Sequence, residues 1–239
     1  MSISINSDMG ESLGIHSFGN DDGLLELVDT ANIACGFHSG DPSGIHATVI
    51  KAAEAQVTIG AHPGLPDIAG FGRREMKLDA DEVRDIVLYQ VGALGGFLKA
   101  EGLELHHIKP HGSLYGMLSR DETLMEAVCD VAEVYGVPVF GMAGTAHERV
   151  TARRGVPFVS EVYVDLDYRS DGTLIIARRP QRTPLEKVEA TTRRALESST
   201  VLTESGELLP VKFESICVHS DTPNAIDVAR VVRSVMSEF

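Results

Sequence analysis

Cysteine is scarce in this chain: Cys35, Cys129 and Cys217 are the only three among 239 residues. They are too few and too scattered for a disulfide framework or a zinc ribbon. Cys35 precedes a loop glycine, where a nucleophile could sit, but a small thiol at a strand end reads first as packing. Cys129 falls in a helical pattern and Cys217 in an apolar strand run, both core positions. Positive charge is also short, and a net charge of −14 argues against nucleic acid or an anionic membrane as partner. No apolar run approaches the roughly 20 residues that span a bilayer. The run Met1–Ile5 has neither the basic leader nor the apolar core of a signal peptide. A soluble, cytoplasmic protein is expected.

Several chemical devices are missing too. There is no Gly-x-x-x-x-Gly-Lys-Ser/Thr loop and no Gly-x-Gly-x-x-Gly after a first strand, so the chain carries no standard nucleotide cradle. His-Glu-x-x-His, paired Cys-x-x-Cys and the Gly-x-Ser-x-Gly elbow are likewise absent. No low-complexity linker interrupts the chain, which predicts a single domain over residues 1–239.

What is present is an alternation. Strand signals at 2–6, 30–34, 58–61, 106–109, 137–140, 158–163 and 215–218 each empty into a polar loop, and most lead on to a helical pattern. Asp21-Asp22, Asp41-Pro42, Asp79 and Thr183-Pro184 read as helix starts, and Gly136 and Gly155 as stops. Val83, Ile86, Val87, Val91 and Leu94 form the best apolar stripe. Repeated β-loop-α units imply parallel strands with helices outside. The expected fold is α/β, a distorted seven-stranded (β/α) barrel rather than an open doubly wound sheet, because polar residues follow nearly every strand.

The strand exits supply Asp8 and Glu11; Asn32, His38 and Asp41; His62; Lys109 and His111; His147; Asp165; then His219 and Asp221. In an α/β barrel the carboxyl ends of the strands share one face, which carries the active site. Asp41 also has the sequence context of an N-cap. Lys109 ends an apolar strand, where an ammonium is costly to bury without an anion; it suits anion binding or stabilisation of charge on a carbonyl oxygen. Arg73-Arg74, in a glycine-rich loop, is either a carboxylate clamp or a solvated pair. His16, His46, His106 and His107 read as surface or packing residues. Asp and His in such a mouth either hold a divalent metal or act directly as acid and base, and the sequence leaves that choice open.

Seven segments carry a resemblance. They are Asn6–Ser12, Ala31–Pro42, Ile59–Gly64, Gly70–Arg74, Tyr89–Leu94, Lys109–Tyr115 and Ile216–Pro223. On these the chain resembles the LamB/YcsF family, characterised as the A subunit of 5-oxoprolinase. The resemblance implies a seven-stranded barrel of the glycoside hydrolase/deacetylase superfamily. It implies cleavage of 5-oxo-L-proline to L-glutamate coupled to ATP hydrolysis, in a complex with 5-oxoprolinase subunits B and C, which would account for the missing nucleotide motifs. It marks Asp8, His38, Asp41, His62, Lys109 and His111 as catalytic candidates, with His219 and Asp221 alongside Asn32 and Arg73 as substrate contacts. Asp8 with His62 would serve as acid and base, Lys109 as electrostatic stabiliser, and Arg73 as the partner of a substrate carboxylate. One region departs: where the family has Glu-x-Phe-Ala-Asp-Arg-x-Tyr, Leu166 replaces the arginine, and Pro180-Gln181-Arg182 replaces Pro-Gly-Ala. That leaves the exact substrate open. The competing readings are a metal-dependent deacetylase-like hydrolase and a non-catalytic protein that binds a ligand or serves as a scaffold.

Overall fold

In chain order the elements are β1 (Ser4–Met9), α1 (Asp21–Leu25), β2 (Thr30–Ala34), α2 (Pro42–Glu54), β3 (Thr58–His62), a 3-10 turn (Ile68–Gly70), α3 (Ala80–Ala100), α4 (Gly112–Arg120), α5 (Glu122–Tyr135), β4 (Val139–Gly141) and α6 (Ala146–Arg154). There follow β5 (Phe158–Tyr163), β6 (Asp167–Tyr168), β7 (Leu174–Ile175), α7 (Leu185–Ser198), β8 (Thr200–Leu202), β9 (Leu208–Pro210), β10 (Ser215–Val218) and α8 (Ala225–Met236). This is a computed structural model, and it describes residues 3–16, 18–177 and 179–239. Ser2, placed in the first strand by the sequence, lies outside the described residues.

The main sheet is wholly parallel, in the order β3-β2-β1-β10-β5-β4. It has six strands, not the seven expected. The segment 106–109 lies between the two sheet edges, making parallel bridges at Ile108 to Ala61 and to Val139 and backbone hydrogen bonds to Ile59, Ala61, Pro138 and Phe140, without forming a continuous strand. Pro110 follows at once, and without an N–H it cannot extend the ladder. Two short antiparallel pairs, β6–β7 and β8–β9, lie outside the main sheet.

Local chemistry accounts for the helices. Asp41 caps α2, accepting from the backbone N–H of Ser43 and Gly44 with Pro42 in the first turn. Asp79 and Glu82 make a reciprocal capping box that starts α3. Gly136 and Gly155 close α5 and α6 in the left-handed conformation that glycine adopts freely. Two expected starts differ. Asn20, rather than Asp21 or Asp22, caps α1. Thr183 does not cap α7, which begins at Leu185, because its backbone is paired with the Asn224 side chain through bonds of 3.0 and 2.9 Å. The separate helix α4 was not expected.

Buried apolar side chains fill the space between sheet and helices, among them Val83, Val87, Val91 and Leu94 of α3 with Leu114, Leu118 and Val128. The strands also bury polar groups: Asn6, Asp8, Asn32, His62, His107, Lys109 and Glu161 are all at most 4% exposed. Register brings them together, with Asp8 opposite Asn32, Asn6 opposite Cys217, and Cys217 opposite Tyr163.

Candidate active site

The centre of the site is the Lys109 ammonium. It donates to Asp8 Oδ1 at 2.9 Å, Asn6 Oδ1 at 3.1 Å and Cys217 Sγ at 3.0 Å, and stands 3.5 Å from Glu161 Oε1. A side chain only 2% exposed keeps its charge here because two carboxylates face it. Burial alone would lower the Lys109 pKa, but Asp8, Cys217 and Glu161 hold it well above the usual value. Burial would likewise raise the Asp8 carboxyl, yet His62 and Lys109 hold it well below the usual carboxylate range. Both groups are therefore ionised at neutral pH.

A polar floor holds them in place. Asn32 Nδ2 donates to Asn6 Oδ1 at 2.8 Å and Asp8 Oδ1 at 2.9 Å, while its own oxygen lies 2.7 Å from His107 Nε2. Asn6 Nδ2 donates to Glu161 Oε1 at 2.9 Å, and Tyr163 Oη donates to Glu161 Oε2 at 3.1 Å. Gly60 lets His107 in, for a Cβ there would fall 1.9 Å from the ring. His107, read as a surface or packing residue, is thus part of the support for Asp8.

Imidazoles crowd the rim. His62 Nε2 lies 3.4 Å from Asp8 Oδ2 and 3.0 Å from His111 Nδ1. His38 stacks on His111, ring centroids 3.7 Å apart, and its Nε2 is 3.3 Å from Glu11 Oε1. Burial, then the neighbouring imidazoles, holds both His38 and His111 well below the usual histidine range. Across the mouth, Asp165 faces His219 Nδ1 at 3.0 Å and accepts from the His219 backbone N–H at 2.8 Å. The free edge of that ring, Nε2, stands 3.9 Å from Asp8 Oδ2. Burial opposes charge on His219, but Asp165 overcomes it and raises the pKa.

Asp8, Asn32, His38, His62, Lys109, His111 and His219 are therefore brought together. Arg73 lies beside them, held by Asp221 at 2.8 Å and donating to the Ala177 carbonyl at 2.9 Å; its Nε is buried without a partner among the described residues. Asp41 stays apart: its oxygens accept from the backbone N–H groups of Ser43, Gly44 and Gly14. His147 is also structural, its ring set between the Met142 N–H and the Tyr115 carbonyl. Cys35 is buried and its thiol is pushed up to about 12 by desolvation, which makes it a poor nucleophile.

The sequence reading missed Asn6, His107, Glu161, Tyr163 and the polar role of Cys217, because these lie within strands rather than at their exits. A period of two would have found them. Asn6 and Asp8, His107 and Lys109, Glu161 and Tyr163, and Cys217 and His219 are each two residues apart, so each pair shares one sheet face.

Asp8, His62, Lys109, His111, Tyr115 and His219 line a cavity of about 30 Å³, room for roughly two waters by that measure. Leu166, Leu174 and Ile176 form its apolar wall. A neighbouring cavity of about 250 Å³ shares Arg73, Leu166, Ile176 and His219 with it. A larger cavity, about 580 Å³, lies elsewhere and meets the buried network at Glu161. The small one holds the convergent ionised groups and is the better candidate. Among the described residues, two donor sets are compact enough for a metal: Glu11 with His38, His62 and His111, and Asp8 with Cys217 and His219. In the second, the Lys109 ammonium is already bonded to both Asp8 and Cys217.

Fold and site together define an α/β protein that gathers buried carboxylates, imidazoles and a lysine at the carboxyl ends of its parallel strands. The chain belongs to the LamB/YcsF family, whose model matches residues 3–239. The lactam utilization protein lamB of Emericella nidulans is 45% identical over 98% of this chain and 94% of its own length. The A subunit of the Bacillus subtilis 5-oxoprolinase is 42% identical over 97% of this chain and 91% of its own. The crystal structure of the lactam utilization protein from Thermus thermophilus superposes with a TM-score of 0.90 at 39% identity, covering 100% of this chain and 97% of that one.

Proposed function

We propose that the chain is the A subunit of an ATP-dependent 5-oxoprolinase, which opens the lactam of 5-oxo-L-proline to L-glutamate. Subunits B and C would complete the enzyme and handle the nucleotide for which this sequence has no cradle. The observation that carries the reading is the buried ion pair of Lys109 and Asp8, 2.9 Å apart at the floor of a small cavity. The names of the curated relatives, which speak of lactam utilization and of 5-oxoprolinase, point to the same substrate class. In this reading the sheet is a seven-membered barrel of the glycoside hydrolase/deacetylase type, with 106–109 as its seventh stave.

A lactam carbonyl is unreactive because its nitrogen shares electron density with it, and the nitrogen leaves poorly unless protonated. Water adding to the carbonyl carbon gives up a proton and moves negative charge to the carbonyl oxygen; collapse of that adduct breaks the C–N bond as the nitrogen takes up a proton. The Lys109 ammonium, whose three N–H groups are held by Asp8, Asn6 and Cys217, would stabilise that charge through its field in a desolvated site. A carboxylate held as low as Asp8 is a weak base, so proton transfer falls to an imidazole. His219 fits better than His62: Asp165 orients its Nδ1, its pKa is raised, and at 15% its side chain is the more exposed of the two. Asp8 then holds Lys109 in place and keeps charge on His219. The cavity of about 30 Å³ is too small for a lactam ring, so the substrate would occupy the neighbouring cavity of about 250 Å³ against Leu166 and Ile176, with its carboxylate towards Arg73 and its carbonyl towards the smaller cavity.

Leu166, in place of the family's arginine, makes the lactam itself the point to test. The chain is purified with subunits B and C and assayed for ATP-dependent glutamate release, with other lactams in parallel. Turnover of 5-oxoproline above that of B and C alone is expected; its absence would refute the assignment.

A further inference from the structure

We propose that Glu11, His62 and His111 form a binding site for a divalent transition-metal ion, of the two-histidine, one-carboxylate type, with an open position towards the cavity. The inference rests on the donors alone and stands whether or not the substrate is a lactam.

The first argument is the orientation of the rings. His62 Nδ1 lies 2.7 Å from the Lys109 carbonyl, and His111 Nε2 lies 2.8 Å from the Phe71 carbonyl. A carbonyl oxygen only accepts, so each of these outer nitrogens carries the proton. In neutral rings the inner nitrogens, His62 Nε2 and His111 Nδ1, then present lone pairs to each other across 3.0 Å. Two lone pairs at that distance repel, and the arrangement calls for a cation. Fixing the outer N–H on a carbonyl is also how proteins commonly orient histidines that bind metal.

The second argument is size. Glu11 Oε1 lies 3.7 Å from His111 Nδ1, and the donor atoms of the cluster all lie within 4.8 Å of one another. Zinc–ligand bonds of 2.0–2.1 Å at tetrahedral angles put neighbouring ligand atoms about 3.3 Å apart, so the set needs adjustments of only a few tenths of an ångström on the edges of 3.0 and 3.7 Å. His38 is set in a different position. Stacked on His111 with planes 7° apart, it supports that ring and approaches Glu11, and its Nδ1 has no partner among the described residues. It is therefore a supporting neighbour, not a third nitrogen ligand.

The third argument is charge. Glu11 is 2% exposed and lies within ion-pair distance of no Lys or Arg among the described residues, meeting His38, His111 and the Ser220 hydroxyl, which donates to it at 3.4 Å. Burial, then Asp8 and Asp221, holds the Glu11 carboxyl well above its usual range, so without a cation it keeps a proton that a bound metal ion would displace. Nitrogen and oxygen donors of this mix suit Zn²⁺, Co²⁺ or a similar ion. His62 and His111 also line the cavity that holds Asp8 and Lys109, so a bound ion would sit where it can polarise a carbonyl or a water.

The test uses the full chain without partners, stripped of metal and titrated with Zn²⁺ and with Co²⁺, with content read by mass spectrometry and Co²⁺ coordination by its visible spectrum. One equivalent per chain is expected. Loss of a residue that only orients a metal ligand costs about 10–100-fold in affinity, so Glu11→Gln and His111→Gln should each weaken binding by more than about 100-fold. His46→Gln, on the surface, should leave binding unchanged. If a variant fails to fold, X-ray absorption on the Co²⁺-loaded wild type decides, and two imidazole ligands with oxygen donors support the site. Substoichiometric uptake by the wild type, with a strongly deshielded N–H proton between His62 and His111, would overturn it and leave a shared proton as the cation.

Discussion

Replacing Lys109 by Met tests the electrostatic core most sharply. The substitution keeps a long, flexible chain and deletes an ammonium that contacts Asp8, Glu161, Asn6 and Cys217 at 3.5 Å or less. Two carboxylates, 6% and 0% exposed, then face each other without their cation. Removing one partner of a buried pair costs about 3–5 kcal/mol. For a chain of this size that corresponds to about 6–20 °C in Tm, taking roughly 2–4 °C per kcal/mol. The pH sign follows from Asp8, whose depressed pKa contributes stability above its unfolded value of about 3.9 and loses it as pH falls through the folded value. The gap between wild type and variant should therefore be widest at neutral pH and close in acid. Asp8→Asn in the Lys109→Met background should restore part of the loss, because it removes one uncompensated charge. Urea denaturation at pH 7 and in steps down to about pH 2, below the unfolded value, measures all of this. A cost below about 1 kcal/mol, the size of an exposed pair, or strict additivity with Asp8→Asn, would refute the argument. In the assembled enzyme, glutamate release should fall about 10²–10³-fold, the loss typical of removing one oxyanion donor.

Three further outcomes follow from the geometry. Asp165→Asn removes the main support for charge on His219; an NMR titration should show its midpoint falling. Since a raised histidine pKa stabilises fully below the unfolded value of about 6.5 and loses that contribution as pH rises through the folded value, the variant should lose stability on the acid side, not at pH 9. Gly60→Ala sets a Cβ 1.9 Å from the His107 ring, and overpacking of that kind should cost about 1–3 kcal/mol and disturb Asn32 beneath Asp8. Asp79→Ala breaks the capping box of α3 and should cost about 1 kcal/mol in thermal unfolding with no change in turnover.

Much of the architecture was legible because the signals were local. Strands 30–34, 158–163 and 215–218 match the observed bounds, and the Asp41, Asp79, Gly136 and Gly155 signals act where they were read. The gathering of Asp8, His62, Lys109, His111 and His219 was legible because each stands at or just beyond the carboxyl end of a strand segment or bridge. What could not be read depended on distant partners. Thr183 has the composition of a cap, yet Asn224 takes its backbone. Segment 106–109 has a strand's composition, but Pro110 and its two neighbours restrict it to bridges at one residue. Glu161 and Asn6 look out of place in apolar strands until Lys109, far away in sequence, arrives between them.

The central claim is that chemistry occurs at the Asp8–Lys109 pair and not in the partner subunits alone. Glutamate release by the complex assembled with Asp8→Asn measures this directly, with assembly verified by size exclusion. Asp8 holds Lys109 and supports charge on His219, so its loss disturbs both the stabilising and the proton-transfer group, and a fall of about 10²–10⁴-fold with the complex intact is the predicted result. Turnover equal to wild type would contradict the account and make this chain a scaffold.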